Sequence, residues 1–326
     1  MGNYVAKKVR FKHIAIFIGL LLGLVFVPTG TLYAQASDAS EGLEISPALI
    51  EVNGDANKAY TLDISVHNVT KYALNFSGSV DDFGAKDETG QPSIIIDSND
   101  TLPTSIKDWV EAIPSFRLEA NETKKLSVSL FIPPGAEPGG HYGVIRFTGK
   151  SPDETGTIGQ VASAGTLILI RVSGDIKETL ELSSLDITKD NKKGTMFESG
   201  PLTFVSRFTN TGSVHVKPIG QIEIRDSFGH SNVIPVNAAG GNILPGSTRR
   251  FESNLNTSWM FGHYTADLSI AYGTTGQAIV RTISFWVIPY KLILVGLLVL
   301  VTVLYILRGA IRRYNKYIIA QSRKHK

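Results

Sequence analysis

Histidines and grouped carboxylates are the side chains in this sequence with the clearest capacity for chemistry. Between residues 37 and 284 the histidines show neither an HExxH motif nor an HxH pair, so their spacing predicts no metal site. The acidic groups, such as Asp81-Asp82 and Asp153-Glu154, lack the ligand spacing of an EF-hand, which leaves calcium in one of these loops only as an alternative. The histidines are His67, His141, His215, His230 and His263.

Nucleophilic and redox chemistry have no better support. The chain has no cysteine, which excludes thiol catalysis, iron–sulfur clusters and thiolate zinc sites. It has neither a nucleophile elbow nor a phosphate-binding glycine loop. Glycoside hydrolysis needs two carboxylates across a cleft, and no pair is marked by the sequence. We therefore expect a protein that is not an enzyme, with no catalytic residue, no cofactor and no metal.

The segments that must position these side chains have the pattern of short β-strands. Apolar and polar residues alternate at 60–66, 125–131, 166–172, 203–208 and 264–270, which is typical of half-buried strands. Turn-forming residues separate these stretches, and no long helical pattern precedes residue 285. The pattern predicts an all-β fold of two tandem Ig-like β-sandwich domains, residues 43–174 and 175–284.

Three short motifs recur in the same order in both predicted domains. VHNVT at 66–70 corresponds to FTNTG at 208–212, LEANET at 118–123 to LPGST at 244–248, and GHY at 140–142 to GHY at 262–264. The fixed order predicts two copies of one plan, the first enlarged at residues 81–110. A tyrosine that opens a late strand can bond back to the preceding loop, so Gly140 and Tyr142, and likewise Gly262 and Tyr264, are predicted structural corners.

The N-terminus has the three parts of a secretory signal peptide. Four basic residues precede an uncharged apolar stretch at 14–27, and Ala34 and Ala36 supply the small residues that signal peptidase reads. That stretch is shorter than the roughly 20 residues that cross a bilayer, which disfavours an uncleaved anchor. We predict a signal peptide at residues 1–36, cleaved after Ala36.

A second apolar segment lies near the C-terminus. Residues 286–307 are long enough to cross a hydrocarbon core of about 30 Å, and Trp286 and Tyr290 stand where an interfacial aromatic belt is expected. Residues 308–326 carry seven basic residues and no acidic one. Because positive residues stay cytoplasmic, these features predict a single-pass cell-membrane protein with an extracellular ectodomain and a basic cytoplasmic tail.

The overall net charge of +3 conceals an acidic ectodomain. Between residues 37 and 286 there are 20 basic and 29 acidic residues, a net charge of −9. A nucleic-acid-binding domain needs a basic face, so we expect no nucleic-acid partner. The predicted contact with lipid is through the C-terminal helix.

One stretch of the first predicted domain is distinctive. It is IPPGAEPGGHYGVI at 132–145, accompanied by ISPA at 45–48, LDISVHN at 62–68 and residues 118–130. With these motifs, and with the order of signal peptide, two β domains, helix and basic tail, residues 43–174 resemble the peptidoglycan-binding domain of bacterial WxL-interacting surface proteins. The resemblance implies binding at the cell wall and not catalysis. In that family the second domain is associated with host or partner binding.

The expected function is therefore non-catalytic binding, adhesion or scaffolding in the bacterial envelope, with a cell-wall polymer or another surface protein as the partner. Such sandwiches bind through loops at their ends or through an exposed sheet edge. The candidate binding loop is the enlarged segment at 81–110, with Asp81, Asp82 and Trp109. The alternatives are a structural subunit of a membrane envelope complex and a membrane-tethered wall hydrolase.

Overall fold

The structure, a computed structural model, describes residues 42–95, 102–150 and 161–322. The predicted signal peptide, with Ala34 and Ala36, lies outside the described residues. The described part contains strands β1–β18, one short 3-10 helix (Lys107–Trp109) and a C-terminal helix, α1 (Tyr290–Ser322).

The first nine strands form a β-sandwich. They are β1 (Leu43–Ser46), β2 (Leu49–Gly54), β3 (Lys58–Asn68), β4 (Leu74–Ala85), β5 (Pro92–Ile95), β6 (Phe116–Leu118), β7 (Thr123–Ile132), β8 (Gly139–Lys150) and β9 (Val161–Val172). One sheet has the order β1-β3-β7, and the other has the order β2-β9-β8-β4-β5, with β6 also paired to β4. Every pairing is antiparallel except β2 with β9.

The remaining strands form a second β-sandwich. They are β10 (Leu180–Lys189), β11 (Lys192–Lys193), β12 (Met196–Phe197), β13 (Leu202–Asn210), β14 (Ile219–Asp226), β15 (Ser231–Val236), β16 (Thr248–Leu255), β17 (Gly262–Tyr272) and β18 (Gln277–Val287). Its sheets have the orders β11-β10-β13-β16 and β12-β18-β17-β14-β15. The chain passes from the first pair of sheets to the second between β9 and β10. The predicted all-β sandwich fold is confirmed.

Each sandwich has its own apolar core, which follows from the alternation in its strands. In β3, Leu62 and Ile64 are buried whereas Asp63 is exposed, because successive side chains of a strand point to opposite faces. In the second sandwich Phe204 and Phe208 are fully buried in the same way. Burial of one such side chain contributes about 1.5–3 kcal/mol, so the two cores are the main source of stability.

The internal similarity corresponds to a shared hydrogen-bond arrangement. Asn68 ends β3, and its side-chain amide donates to the carbonyl oxygens of Tyr72 and Glu119 at 2.8 and 2.9 Å. Asn210 ends β13, and its amide donates to Val214 O and Ile243 O, both at 2.8 Å. Each buried asparagine thus joins the turn that follows its strand to the loop that precedes the neighbouring strand.

The C-terminal helix begins later than predicted. Residues 286 and 287 belong to β18, where Phe285 and Val287 are buried in the second core because they alternate with the half-exposed Trp286. Only two residues separate β18 from α1. Tyr290–Lys316 has a mean hydropathy of 2.5 and is the one helix in the described part of the chain that is long and apolar enough to cross a membrane.

Candidate binding cleft

The three residues singled out in the predicted binding loop, Asp81, Asp82 and Trp109, lie in regular secondary structure and pack against neighbouring residues. Asp81 and Asp82 lie within β4 and are buried. Arg146 Nε donates to the Asp81 carboxylate at 2.8 Å, and Lys107 Nζ lies 2.9 Å from that of Asp82. Trp109 ends the 3-10 helix, with its ring centroid 4.4 Å from that of His141. Partners distant in sequence neutralise both carboxylates, so these side chains offer no open binding surface.

The two predicted tyrosine corners behave differently. The Tyr264 hydroxyl accepts a hydrogen bond from the backbone N–H of Phe261 at 3.1 Å, which closes the loop before Gly262 and β17. The Tyr142 hydroxyl makes no such local bond. It accepts from the backbone N–H of His215, in the second sandwich, at 2.9 Å. Tyr142 therefore joins the two sandwiches instead of closing a corner within one.

Backbone contacts accompany Tyr142 at this junction. The N–H of Gly140 donates to the carbonyl oxygen of Ser213 at 2.9 Å. Gly139 has φ 137°, and a Cβ built on it would lie 2.9 Å from the same oxygen. Glycine is needed at 139 because the backbones of the two sandwiches approach too closely for a side chain, and at 140 because a Cβ would collide with the Tyr142 ring.

Charged side chains join the sandwiches at three further points. Glu51 of β2 lies 2.9 Å from Lys217 Nζ and accepts from the Asn242 amide at 2.6 Å. Arg171 of β9 pairs with Glu178, which also accepts from Thr274 N at 2.8 Å. The turn between β4 and β5 contributes Glu88, whose carboxylate accepts from Arg207 Nε at 2.7 Å and whose carbonyl accepts from Arg250 N at 2.6 Å.

The surroundings of the junction shift the pKa values of three of its side chains. Burial lowers the pKa of His215 to about 4, a shift that nearby Glu51 opposes and nearby Arg171 reinforces. The imidazole is therefore neutral at physiological pH. Burial also raises the pKa of Tyr142, so its hydroxyl stays protonated. Burial opposes ionisation of Glu51, but hydrogen bonds from Lys217 and Asn242 outweigh that effect and lower its pKa.

A cleft of about 210 Å³ lies beside this junction. Its floor is the face of the β2-β9-β8-β4-β5 sheet that points away from the first core, and it is apolar: Leu49, Phe83, Leu167 and Leu169. The opposite wall belongs to the loop between β15 and β16 and to the start of β16, with Gly241, Asn242, Leu244, Ser247, Thr248 and Arg249. Gly90 and Gln91 of the β4–β5 turn close one side.

Arg249 is the charged group of the cleft with the most unusual surroundings. Its guanidinium is held between Gly90 and Gly241, and a Cβ on either glycine would collide with it. Its Nη1 donates to Asn242 O at 2.7 Å, and its Cζ lies 5.4 Å from the centroid of the Phe251 ring. No carboxylate among the described residues forms an ion pair with Arg249. Burial lowers the pKa of Arg249, although a guanidinium stays charged in proteins.

Two polar atoms of the cleft wall have unused hydrogen-bonding capacity. Arg249 Nε and Asn242 Oδ1 are both buried and lack a hydrogen-bond partner in the part of the chain that the structure describes. A buried donor without a partner is costly, and a bound ligand is one way to satisfy it. The arrangement is suited to a ligand with an anionic group at Arg249, an N–H donor for Asn242 Oδ1 and an apolar group on the floor. Nothing comparable gathers metal ligands, because the described residues contain no group of three or more His, Cys, Asp or Glu that could hold a metal.

Similar folds occur among solved structures that share little sequence identity with this chain. No family model matches the sequence, and no curated protein matches it at a significant level. A crystal structure of the YadV chaperone has a TM-score of 0.36 and 15% identity, covering 75% of this chain and 100% of that chain. The class 5 fimbriae chaperone CfaA has a TM-score of 0.37 and 14% identity, covering 74% and 98%. A chain of the complex between the Salmonella enterica SafA pilin and the SafB chaperone has values of 0.34 and 12%, covering 77% and 99%.

At these values the similarity does not indicate which molecules this chain binds. No sequence motif marks Arg249, Asn242 or the cleft. The sequence signal around Arg249 is weak, because Arg249 and Arg250 together read as ordinary charged residues of an edge strand. Of the residues that enclose Arg249, Gly241 comes from the β15–β16 loop just before it, whereas Gly90 comes from the β4–β5 turn, far away along the chain.

Proposed function

We propose that this chain is a non-catalytic binding protein of the bacterial cell surface, anchored by α1, that holds an acidic and apolar segment of a partner surface protein in the cleft. The observation that carries the proposal is the Arg249 guanidinium, enclosed beside an apolar floor without a carboxylate partner in the described chain. A hydrogen bond to a charged group contributes about 1.5–3 kcal/mol, which gives such a site both affinity and selectivity.

The composition of the cleft favours a peptide over a glycan. Sugars carry many hydroxyl groups that each need a polar partner, whereas the floor of this cleft is formed by Leu49, Phe83, Leu167 and Leu169. A leucine or phenylalanine side chain buries well on that floor while a neighbouring aspartate or a C-terminal carboxylate meets Arg249. Peptide recognition commonly combines one charged anchor with apolar pockets in this way.

The proposed topology follows from the helix and its flanks. Tyr290–Lys316 is long enough to cross a bilayer. The seven basic residues from Arg308 onward support an orientation with the C-terminus in the cytoplasm, and the N-terminal sequence pattern supports export of the ectodomain by a signal peptide. The partner is then another exported or surface-bound protein.

A wall polymer remains the second candidate, because it is what the resemblance to WxL-interacting proteins implies. The stretch that carries that resemblance most strongly, residues 132–145, contributes Gly139, Gly140 and Tyr142 to the junction. These three residues of the stretch are therefore explained by the contact between the sandwiches. This weakens, without removing, the case for peptidoglycan as the ligand.

The test uses the full chain in lipid nanodiscs. We would measure fluorescence anisotropy with dye-labelled peptides that combine leucine or phenylalanine with aspartate or a free C-terminal carboxylate, and compare the same peptides with amidated carboxylates. Co-sedimentation with purified peptidoglycan sacculi tests the second candidate on the same preparation. Wild type should bind carboxylate peptides and lose at least tenfold in affinity when the peptide is amidated, as expected for a charge-assisted bond.

Two variants isolate the role of the cleft. Arg249→Gln should weaken peptide binding about tenfold or more, since it removes the charged anchor. Arg281→Gln removes the same charge from an exposed position on β18 and should leave binding unchanged. Equal binding by wild type and Arg249→Gln would refute the site, and salt-resistant pelleting with sacculi that survives Arg249→Gln would favour the wall polymer.

A further inference from the structure

The end of the second sandwich nearest α1 carries an unusual set of exposed apolar side chains. Trp259 is 81% exposed and Phe228 73% exposed, and Met196, Phe261 and Trp286 are also exposed. The strand register places them together, because Met196 pairs with Trp286, Trp286 pairs with His263, and Asp226 at the end of β14 pairs with Tyr264. Every exposed tryptophan and phenylalanine described in the second sandwich lies at this end. We call these five residues the apolar end.

The most exposed of them is held on a fixed loop. Residues 256–261, here the Trp259 loop, connect β16 to β17. Met260, between the two exposed aromatics, is buried in the second core. The N–H of Phe261 donates to the Tyr264 hydroxyl at 3.1 Å. Because Met260 and this bond fix the backbone, Trp259 and Phe261 are held facing outward.

The Trp259 loop lies beside the first turns of the helix. A notch of about 410 Å³ is lined by Trp259 and Met260 on one side and by Leu292 and Val295 on the other. An α-helix rises about 1.5 Å per residue, so Val295 lies about 8 Å along the axis from Tyr290. Lys291 Nζ lies 2.7 Å from the Glu198 carboxylate, which ties the start of α1 to the β12 side of the sandwich.

The position of the Trp259 loop beside the first turns of α1 indicates that a lipid bilayer covers the apolar end. If residues from Tyr290 onward cross a bilayer, a loop alongside Leu292 and Val295 lies at the boundary between headgroups and acyl chains. Tryptophan is enriched at that depth because its ring is apolar and its N–H can bond to headgroups or water. A patch of exposed aromatics in water would otherwise be an aggregation hazard.

We propose that the apolar end is a membrane-interface anchor, with Trp259 and Phe261 inserted into the outer leaflet. This inference rests on the proposed membrane crossing of α1. The loop and the helix form two contacts with one bilayer, and acyl chains fill the notch between them. The ectodomain is then held at one tilt relative to the membrane plane, so the cleft faces a constant direction.

The absence of cysteine makes a direct test possible. Single cysteines are introduced by Trp259→Cys, Thr275→Cys and Gly296→Cys in the full chain and labelled with the environment-sensitive dye NBD. Each protein is placed in nanodiscs of equal parts phosphatidylcholine and phosphatidylglycerol, with one chain per disc. Quenching is measured with lipids that carry a nitroxide just below the headgroup, and separately with aqueous iodide.

The two reference positions bracket the result. Thr275 lies in the β17–β18 turn, about 35 Å from Trp286 if the eleven residues of β18 are extended, and should be quenched by iodide only. Gly296 lies within α1 with open space around it and should be quenched by the lipid nitroxide. We expect position 259 to behave like 296, with blue-shifted emission and strong lipid quenching.

Each failure has a separate meaning. If 296 is quenched by lipid while 259 behaves like 275, the helix crosses the membrane and the proposed anchor is wrong. If neither 259 nor 296 is quenched by lipid, the membrane crossing itself is wrong.

A double variant, Phe228→Ser/Phe261→Ser, tests whether the apolar end acts as a unit. Carrying the cysteine at 259, it should show reduced lipid quenching at 259, and carrying the cysteine at 296 it should retain lipid quenching there. Unchanged quenching at 259 would overturn the role of the apolar end as a unit.

Discussion

The hydroxyl oxygen of Tyr142 accepts a hydrogen bond from the backbone N–H of His215 at 2.9 Å, and the two rings meet edge to face with centroids 5.7 Å apart. Tyr142 belongs to β8 of the first sandwich, whereas His215 precedes β14 of the second. Tyr142 is buried with Phe83 and Leu169 on the sheet face that points away from the first core, and His215 is partly buried, so this contact joins the two sandwiches directly.

Removing the hydroxyl tests that coupling. Tyr142→Phe leaves the His215 N–H without a partner in a buried junction, which should cost about 1–3 kcal/mol of unfolding free energy. The measurement is chemical denaturation of the detergent-solubilised chain, followed by tryptophan fluorescence. Tyr264→Phe is the matched control, because its bond to Phe261 lies within one sandwich beside an exposed residue. A larger loss in the control than in Tyr142→Phe would contradict the prediction.

The buried imidazole at the same junction should make stability depend on pH. Folded His215 has its pKa lowered to about 4 from 6.5, so the unfolded chain binds a proton between these values and the folded chain does not. Stability is therefore complete above about pH 6.5 and falls as the pH decreases towards 4, by up to about 3 kcal/mol.

To isolate this effect, the free energy of unfolding is measured as a function of pH between 6.5 and 4 for wild type and for His215→Gln. The variant should show a clearly shallower slope. Glu51 also has a lowered pKa, so its contribution is lost as the pH falls through the folded pKa of this carboxyl in both proteins. Identical slopes would mean that His215 does not titrate differently in the folded and unfolded states.

The close backbone approach at Gly139 predicts a strong effect of one methyl group. Gly139→Ala places a Cβ 2.9 Å from Ser213 O and forces an L-residue to φ 137°. We expect a loss of about 1–3 kcal/mol or more, measured as a shift in the denaturation midpoint. Gly135→Ala, four residues earlier with open space around its Cβ, should be nearly neutral. Equal effects would remove the argument that the junction requires glycine.

Removing the lysine from the buried Asp82–Lys107 pair should destabilise the protein far more than removing a lysine from an exposed ion pair. Asp82 is 1% exposed, with Lys107 Nζ at 2.9 Å from its carboxylate. Lys107→Met removes that partner and leaves a buried charge, which typically costs about 3–5 kcal/mol. Lys58→Met breaks the pair with Asp55 on an exposed surface and should cause no measurable change. The thermal unfolding of both variants is compared with that of wild type. Unchanged stability of Lys107→Met would show that Asp82 is neutral or solvated.

Strand positions in this protein follow from local sequence, as the alternation at 60–66 illustrates. Leu62, Ile64 and Val66 are buried in β3 because a strand turns every second side chain to the same face. The same rule predicted β9 and β17 well. The recurring asparagines were also visible in the sequence, since Asn68 and Asn210 end equivalent strands and bond in equivalent ways.

Features that depend on distant residues could not be predicted in this way. Adjacent carboxylates at 81 and 82 resemble a solvated loop until Arg146 and Lys107 are brought beside them. Trp286 and Val287 resemble the start of a membrane span because strand and span are equally apolar over a few residues. The cleft at Arg249 depends on loops that meet only when the two sandwiches pack together, and no local pattern encodes that meeting.

The two-residue connection between β18 and α1 has a mechanical consequence. Tension on the helix enters the ectodomain at Val287 and runs along β18, which pairs with β17 over eleven register positions and with β12 on its other edge. A strand loaded along its own axis is resisted by all of its hydrogen bonds together, and not by one at a time. Under the proposed function, the second sandwich would act as a stiff mount that transmits force between a bound partner and the membrane without unravelling.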